Sequence, residues 1–254
     1  MTDEIDIERF ARHIMLREIG GAGQQALAKA HIVLIGAGGL GAPAALYLAA
    51  AGVGRLTLVD EDTVSLNNLQ RQILFTTPDV GRPKVEVAAE RLGALHPGTR
   101  VDTVARMLDS SNAQTTLAGA DLILDGCDNF ETRYAVNAAS RALGIPLVSG
   151  AVGRWDGQVG LFNASPQSPC YRCWVPQAPP DAETCAAVGI VGALTGVIGS
   201  MMALEAIKHI CSAGETLDGR LYLFDGLSLT GRTVRLPRDP ACAGCGSVSA
   251  STGL

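Results

Sequence analysis

Charge is scarce in this 254-residue chain: only 18% of residues are Asp, Glu, Lys or Arg, and the 20 Lys and Arg form no run. With a formal net charge of −5, that leaves no basic face for nucleic acid. The opening stretch MTDEIDIERF has neither a basic start nor an apolar core, so no secretory signal is expected and the cytoplasm is the expected location. Histidines number four, at positions 13, 31, 96 and 209, and none falls in a motif. No Ser/His/Asp set and no paired carboxylates stand out, so chemistry that depends on a general base lacks its parts. Internal repeats are absent, and low complexity is confined to the final SVSASTGL.

What is abundant points to a filled core. Hydrophobic residues make up 47% of the chain, which excludes wholesale disorder. One run, AAVGIVGALTGVIGSMMAL at 186–204, has no charge and is long enough to cross a bilayer, with Gly192 and Gly196 at GxxxG spacing. Gly, Ala, Ser and Thr dilute it, no aromatic belt or positive flank frames it, and Glu205 and Lys208 continue the same helix. The run is therefore expected to be a buried core or interface helix and not a membrane span.

Periodicity predicts an amphipathic helix over 5–18, broken by Gly20, Gly21 and Gly23, with a short helix at 24–29. Strands are expected at 31–35, 55–59, 101–105, 121–125 and 146–150, alternating with helices at 41–51, 84–95, 110–117 and 131–143. That alternation implies βαβ units: an α/β fold with a doubly wound, Rossmann-like, mostly parallel sheet. Beyond residue 150 the texture changes to strands at 158–163, 220–224 and 233–236 joined by turns, a C-terminal antiparallel lobe. VPQAPPDAETCAAVG, between the first of these strands and the apolar helix, reads as a mobile loop. The expected organisation is one integrated domain: an N-terminal helical arm (1–30), a nucleotide-binding region (31–150) and a lobe with the crossover loop (151–254).

The stretch HIVLIGAGGLGAPAALYLAAAG is a strand, a glycine turn and a helix. Gly36, Gly38, Gly39 and Gly41 let backbone N–H groups approach phosphate oxygens at the positive end of the helix. Asp60 closes a second strand, RLTLVD, about twenty residues on, where a carboxylate can hold ribose hydroxyls. Asn67, Asn68, Arg71 and Lys84 follow, two cations and two amides suited to a polyphosphate whose charge grows in a transition state. For Arg71 or Lys84 taken singly, a solvated loop is the plainer reading.

IGAGGLG, LVD, NNLQRQ, GRPK and DGCDNFETR, in that order, resemble the ThiF/MoeB/HesA family of sulfur-carrier adenylyltransferases, relatives of ubiquitin-activating enzymes. The likeness runs from RFARHIML near the N-terminus to CAGC near the C-terminus. It implies ATP, Mg²⁺, a ubiquitin-like carrier protein ending in Gly-Gly, and a homodimer in which an arginine reaches the partner's ATP. Carried over position by position, it puts Gly39 and Asp60 on the nucleotide and Asn67, Asn68, Arg71 and Lys84 on phosphates and polar groups. It makes Asp128 the metal-linked carboxylate, sets Asn129 beside it and makes Arg12 the arginine supplied in trans. A terminal carboxylate, with a pKa of about 3.5, is already a nucleophile at neutral pH, so attack on an α-phosphate needs no general base.

Seven cysteines in a chain with no export signal argue for metal or chemistry over disulfides. Cys170-Tyr-Arg-Cys173 and Cys242-Ala-Gly-Cys245 supply four thiolates at the spacing of a closed, structural Zn²⁺ site, which would tie the C-terminal tail to the lobe. The resembled family carries the same tetrad. Cys185 lies in the loop; in some family members a cysteine near this place bonds the activated carrier, while Glu183 nearby works against a low thiol pKa. Cys127 is a candidate pocket residue and Cys211 a packing one. Arg154 and Trp155 either contact the carrier's tail or buttress the sheet.

The leading expectation is ATP-dependent adenylation of a carrier's C-terminal glycine with release of pyrophosphate. The carrier is of the molybdopterin-synthase small-subunit type, in molybdenum-cofactor biosynthesis, or alternatively the thiamine-thiazole type. No rhodanese extension follows the CAGC tetrad, so a separate sulfur donor, a cysteine desulfurase or a rhodanese, is expected. An NAD(P)-linked oxidoreductase and a scaffold that keeps the fold without turnover are the more distant alternatives.

Overall fold

The computed structural model describes residues 6–179 and 189–246. Eight strands form one sheet in the order β3-β2-β1-β4-β5-β6-β7-β8. Strands β1 (His31–Ile35), β2 (Arg55–Val59), β3 (Arg100–Val104), β4 (Leu122–Asp125) and β5 (Leu147–Val152) are parallel. β6 (Asp156–Phe162), β7 (Arg220–Asp225) and β8 (Thr230–Arg235) continue the same sheet antiparallel. The C-terminal strands are thus an extension of the parallel sheet, not a second sheet packed beside it.

Alternation along the strands sends side chains to two cores. Ile32, Leu34, Leu56, Leu58, Leu122 and Leu124 face one side; Val33, Ile35, Val59, Ile123 and Leu147 face the other. Helices α2 (Gly20–Lys29), α3 (Gly41–Ala50) and α4 (Lys84–Leu95) pack on the first core, α5 (Ala113–Leu117) and α6 (Phe130–Leu143) on the second. A short helix, α7 (Tyr171–Trp174), joins the second core through Tyr171.

The apolar run becomes α8 (Gly192–Cys211), the one helix among the described residues whose length and composition would let it cross a membrane. It lies against α3 and over β5 and β6, burying Leu194, Ile198, Met202 and Ala206. Glycines make this close approach possible. A Cβ on Gly199 would stand 2.4 Å from the Leu40 carbonyl oxygen, and Cβ atoms on Gly150 and Gly157 would collide with Met202 and Ile198 at 2.3 and 2.4 Å. Gly196, half of the GxxxG pair, meets nothing within 4 Å, so that spacing marks no helix pairing inside the chain.

Two local expectations need correction. Helix α1 spans only Ile7–Ile14, capped by the Asp6 carboxylate on the Arg9 N–H at 3.0 Å. Gly20, Gly21 and Gly23 do not end α1, which stops at Ile14, but lie in the first turns of α2; of the three only Gly23 is closely packed, a Cβ there crowding Ile19 and Cys211 at 3.0 and 3.3 Å. Tertiary packing against α8 outweighs the weak helix propensity of glycine.

Candidate active site

Parallel strands that diverge around β1 leave a crevice at their carboxyl ends, between β1 and β4. A cavity of about 380 Å³ opens there, lined by the turns after β1, β2 and β4 and by the start of α8. Gly36, at φ +84°, makes the first turn, its N–H donating to the Val59 carbonyl at 2.8 Å. Gly41 serves packing: a Cβ there would lie 1.8 Å from the Gly36 carbonyl oxygen. Gly38 and Gly39 line the cavity, and among the described residues their N–H groups have no acceptor. Two such donors where α3 begins are of the kind that can take an anion.

Asp60 sits at the end of β2 with Oδ2 accepting the Ala37 N–H at 2.7 Å and Oδ1 the Asp62 N–H at 2.9 Å. It thereby fixes the glycine turn and keeps further lone pairs for a ligand. Burial pushes its carboxyl above the usual range, against the pull of nearby Lys84. Lys84 starts α4 almost fully buried, and its Nζ donates to the Asp62 carboxylate at 2.7 Å. Arg71 lines the cavity from the turn after Leu66–Asn68; its guanidinium donates to the Asn67 carbonyl at 3.0 Å, and its own carbonyl accepts from Thr195 Oγ1 at 3.1 Å.

Across the crevice, the turn after β4 carries Cys127, Asp128 and Asn129. Asn129 caps α6, its Oδ1 accepting the Thr132 N–H at 2.8 Å. Asp128 is exposed at the cavity mouth. Burial, with Asp125 next, pushes the Cys127 thiol well up, so it is a neutral wall of the cavity. Behind the turn, Arg133 of α6 holds Asp125 at 3.0 Å, Ser149 Oγ and the Gly150 carbonyl at 2.8 Å each, and the Cys127 carbonyl. Burial alone would lower the guanidinium; the Asp125 carboxylate overcomes it and holds the cation above its ordinary value.

Of the residues singled out in the sequence, Gly36, Gly38, Gly39, Asp60, Arg71, Lys84, Asp128 and Asn129 meet around this one cavity, and Cys127 lines it as anticipated. Gly41, Asn67 and Asn68 do not line it: Gly41 packs beneath the turn, and the two asparagines build the 3-10 turn that carries Arg71. Arg12 is exposed on α1, outside the cavity. Cys185 lies outside the described residues. Asp62, Gln72, Arg133 and Thr195 were not foreseen. Arg133 had a readable signal, since it follows Asn129 by one helical turn and so shares its face.

The second constellation is the four cysteines. Cys170 and Cys173 flank the start of α7, Cys242 and Cys245 follow β8, and all four sulfurs lie within 4.8 Å of one another. Cys170–Cys242 and Cys173–Cys245 are 3.7 and 3.4 Å apart. A disulfide needs about 2.05 Å, whereas Zn–S bonds of about 2.3 Å arranged tetrahedrally put sulfurs about 3.8 Å apart. The Asp239 and Gly244 N–H groups point at Cys173 and Cys242 sulfurs at 3.4 and 3.3 Å. Burial opposes charge on Cys245, but hydrogen bonds from Cys173, the Cys170 backbone and Arg238 bring its thiol down to about 7. The donor set fits a soft, four-coordinate cation. Cys211 instead packs beside the main core, its thiol raised by burial. His13, His31 and His96 bond to Gln24, Thr57 and Thr99, and none of the four histidines lines the cavity.

The profile of the ThiF family matches residues 10–244. A SAMP-activating enzyme E1 of Haloferax volcanii is 44% identical over 246 residues, covering 96% of this chain and 90% of its own. In Escherichia coli, a sulfur carrier protein ThiS adenylyltransferase is 43% identical (96% and 97% covered) and a molybdopterin-synthase adenylyltransferase 42% identical (94% and 96%). Among solved structures, E. coli MccB with MccA-N7isoASN superposes with a TM-score of 0.82 at 22% identity, over 96% of this chain and 75% of that one.

Proposed function

The chain belongs to the ThiF family, and from that premise we propose that it adenylates the C-terminal glycine of a ubiquitin-like sulfur carrier with ATP, releasing pyrophosphate. The observation that carries this reading is the meeting of Asp60, the unpaired Gly38 and Gly39 N–H groups, Arg71, Lys84 and Asp128 around one cavity. Asp60 holds the ribose hydroxyls, the glycine turn takes the phosphates, and Arg71 and Lys84 neutralise charge as the α-phosphate is attacked. Asp128, an exposed carboxylate making no ion pair among the described residues, is the group that would hold Mg²⁺. That ion, when bound, offsets charge on the departing pyrophosphate. The nucleophile is the carrier's own carboxylate, which is why a site without an imidazole suffices.

The carrier's tail has a route. Ala151, Val152 and Gln158 line both the nucleotide cavity and an open groove of about 870 Å³ that continues over β6, β7 and β8. The Arg154 and Trp155 carbonyls brace this region by accepting the Val191 and Gly226 N–H groups at 3.3 and 2.7 Å, while the Trp155 ring stays partly exposed. Arg12, exposed and with no side-chain hydrogen bond among the described residues, suits the trans arginine of a homodimer. Zn²⁺ at the four cysteines would be structural, since no coordination position is left open. We place the reaction in the cytoplasm, with the sulfur atom delivered by a separate donor.

Carrier-dependent exchange of labelled pyrophosphate into ATP tests the reading, run with molybdopterin-synthase-type and thiazole-type carriers in turn. Exchange should require the intact Gly-Gly tail and should be lost in Arg71→Glu and Asp128→Ala. Exchange with neither carrier, or full turnover in both variants, overturns it.

A further inference from the structure

Three buried side-chain atoms in the described residues have no hydrogen-bond partner: Gln72 Oε1, Asn163 Oδ1 and Arg238 Nε. Asn163 and Arg238 are anchored through their other atoms, to Asn137, Ser140 and the Cys245 carbonyl. Gln72 is different. Among the described residues its side chain makes no hydrogen bond, yet it is only 4% exposed and lines the nucleotide cavity. Buried carboxamides without partners are rare because burial strips their water and returns nothing. One that lines a ligand cavity is therefore waiting for a ligand.

Position narrows the ligand. A Cβ on Gly38 would stand 3.3 Å from Gln72 Nε2, so the carboxamide lies against the phosphate turn. Its neighbour Arg71 faces the same cavity, and Arg71's carbonyl is fixed by Thr195. A phosphate at neutral pH offers no donor for an amide oxygen, and the ribose hydroxyls belong at Asp60, whose carboxylate accepts the Ala37 N–H. A primary carboxamide carries an acceptor oxygen and an NH2 donor group in one plane, the complement of a peptide group whichever way its ends are assigned. In a carrier's tail, the last peptide nitrogen is two bonds from the carboxylate carbon that must meet the α-phosphate.

Resting on the adenylation reading, we infer that Gln72 binds the last peptide group of the carrier's tail: its carboxamide oxygen accepts the N–H of the terminal glycine. Through that bond it would aim the carboxylate beside the glycine turn. Gln72 thereby reads backbone, which a Gly-Gly tail presents without side chains in the way.

The test pairs Gln72→Met, close in volume but without the amide, with a carrier in which the last peptide bond is an ester, which removes the N–H and little else. Pyrophosphate exchange gives KM for the carrier and kcat; calorimetry gives Kd for ATP; thermal unfolding gives Tm. Gln72→Met is expected to raise the carrier KM about tenfold, the worth of one buried hydrogen bond. It should keep the ATP Kd within about twofold, and keep or raise Tm because a stranded polar atom has been removed. The ester carrier should cost the wild-type chain a similar factor and cost Gln72→Met nothing more. Equal loss of ATP affinity, unchanged kinetics, or penalties that multiply between variant and ester would each overturn the assignment while leaving adenylation standing. Absence of exchange by the wild-type chain with every Gly-Gly carrier would remove the adenylation reading, and this contact with it.

Discussion

Replacing Arg133 by Met should expose how the turn bearing Asp128 is held. The guanidinium lies 6% exposed and makes four hydrogen bonds, to Asp125, Ser149 Oγ and the Cys127 and Gly150 carbonyls. Asp125 itself is 1% exposed. Removing one partner of a buried ion pair costs about 3–5 kcal/mol, because the remaining charge is stranded. Ser149 would still donate to the Asp125 carboxylate at 3.0 Å, which argues for the middle of that range, about 4 kcal/mol. Against a typical total of about 5–15 kcal/mol, the variant should fold but lose a large share of its stability. In an Asp125→Asn background no full charge is stranded, so the same substitution should cost about 2 kcal/mol less. Urea unfolding at fixed zinc and reductant measures both. Asp125 holds the Arg133 cation above its ordinary value, so its contribution is complete across the neutral range and would be lost only as pH rises, far into the alkaline range, through the higher folded value. The result should therefore be the same at pH 6 and pH 8. A cost under about 1 kcal/mol, or equal costs in the two backgrounds, would refute the stranded-charge argument.

Metal analysis of reduced protein should find one Zn²⁺ per chain, and chelation or Cys242→Ser should lower Tm steeply, as expected where binding contributes on the order of 10 kcal/mol; a metal-free chain of unchanged Tm would sink the site. Burial raises the Asp60 carboxyl, so protonation there favours the folded chain fully below 3.8 and loses its effect as pH rises through the folded value. ATP affinity measured by calorimetry should accordingly be flat from pH 7 to 8 and fall in acid as that carboxyl, followed directly by NMR, takes up its proton; affinity that stays constant while it protonates would contradict the role of the charged carboxylate. Gly41→Ala should fail to accumulate as folded protein, because its Cβ would lie 1.8 Å from a carbonyl oxygen. Gly93→Ala, in the open interior of α4, should instead gain about 0.5–1 kcal/mol in urea unfolding.

The parallel half of the sheet was legible because its signals are local. Apolar β-branched runs, glycine turns and Ala/Leu-rich helices place β1, α3, β2 and α4 within a residue or so of where they form. Helix α2 was obscured in part because the place for Gly23 is set by close packing against Cys211, about 190 positions away, and no window on the sequence contains that contact. The continuity of β5 with β6–β8 was hidden for a related reason. A change of texture at residue 150 looks the same whether strands add to a sheet edge or form a sheet of their own.

The site divides along the same line. Residues that present charge or bare backbone to a ligand must be of special type, and so Gly38, Asp60, Arg71, Lys84 and Asp128 stand out in a chain that is 18% charged. Residues that hold those groups in place can be anything with the right reach, and their identity becomes informative only when partners are known. Arg133 reads in sequence as one more arginine on a helix; its meaning lies in a buried aspartate on β4 and a serine on β5. Asn67 and Asn68 show the converse. Their type and position suggested ligand contacts, yet the backbone they fold delivers Arg71 instead. Gln72 falls between the two. The sequence marks it only as an amide beside Arg71, and burial without a partner turns it into evidence about the substrate.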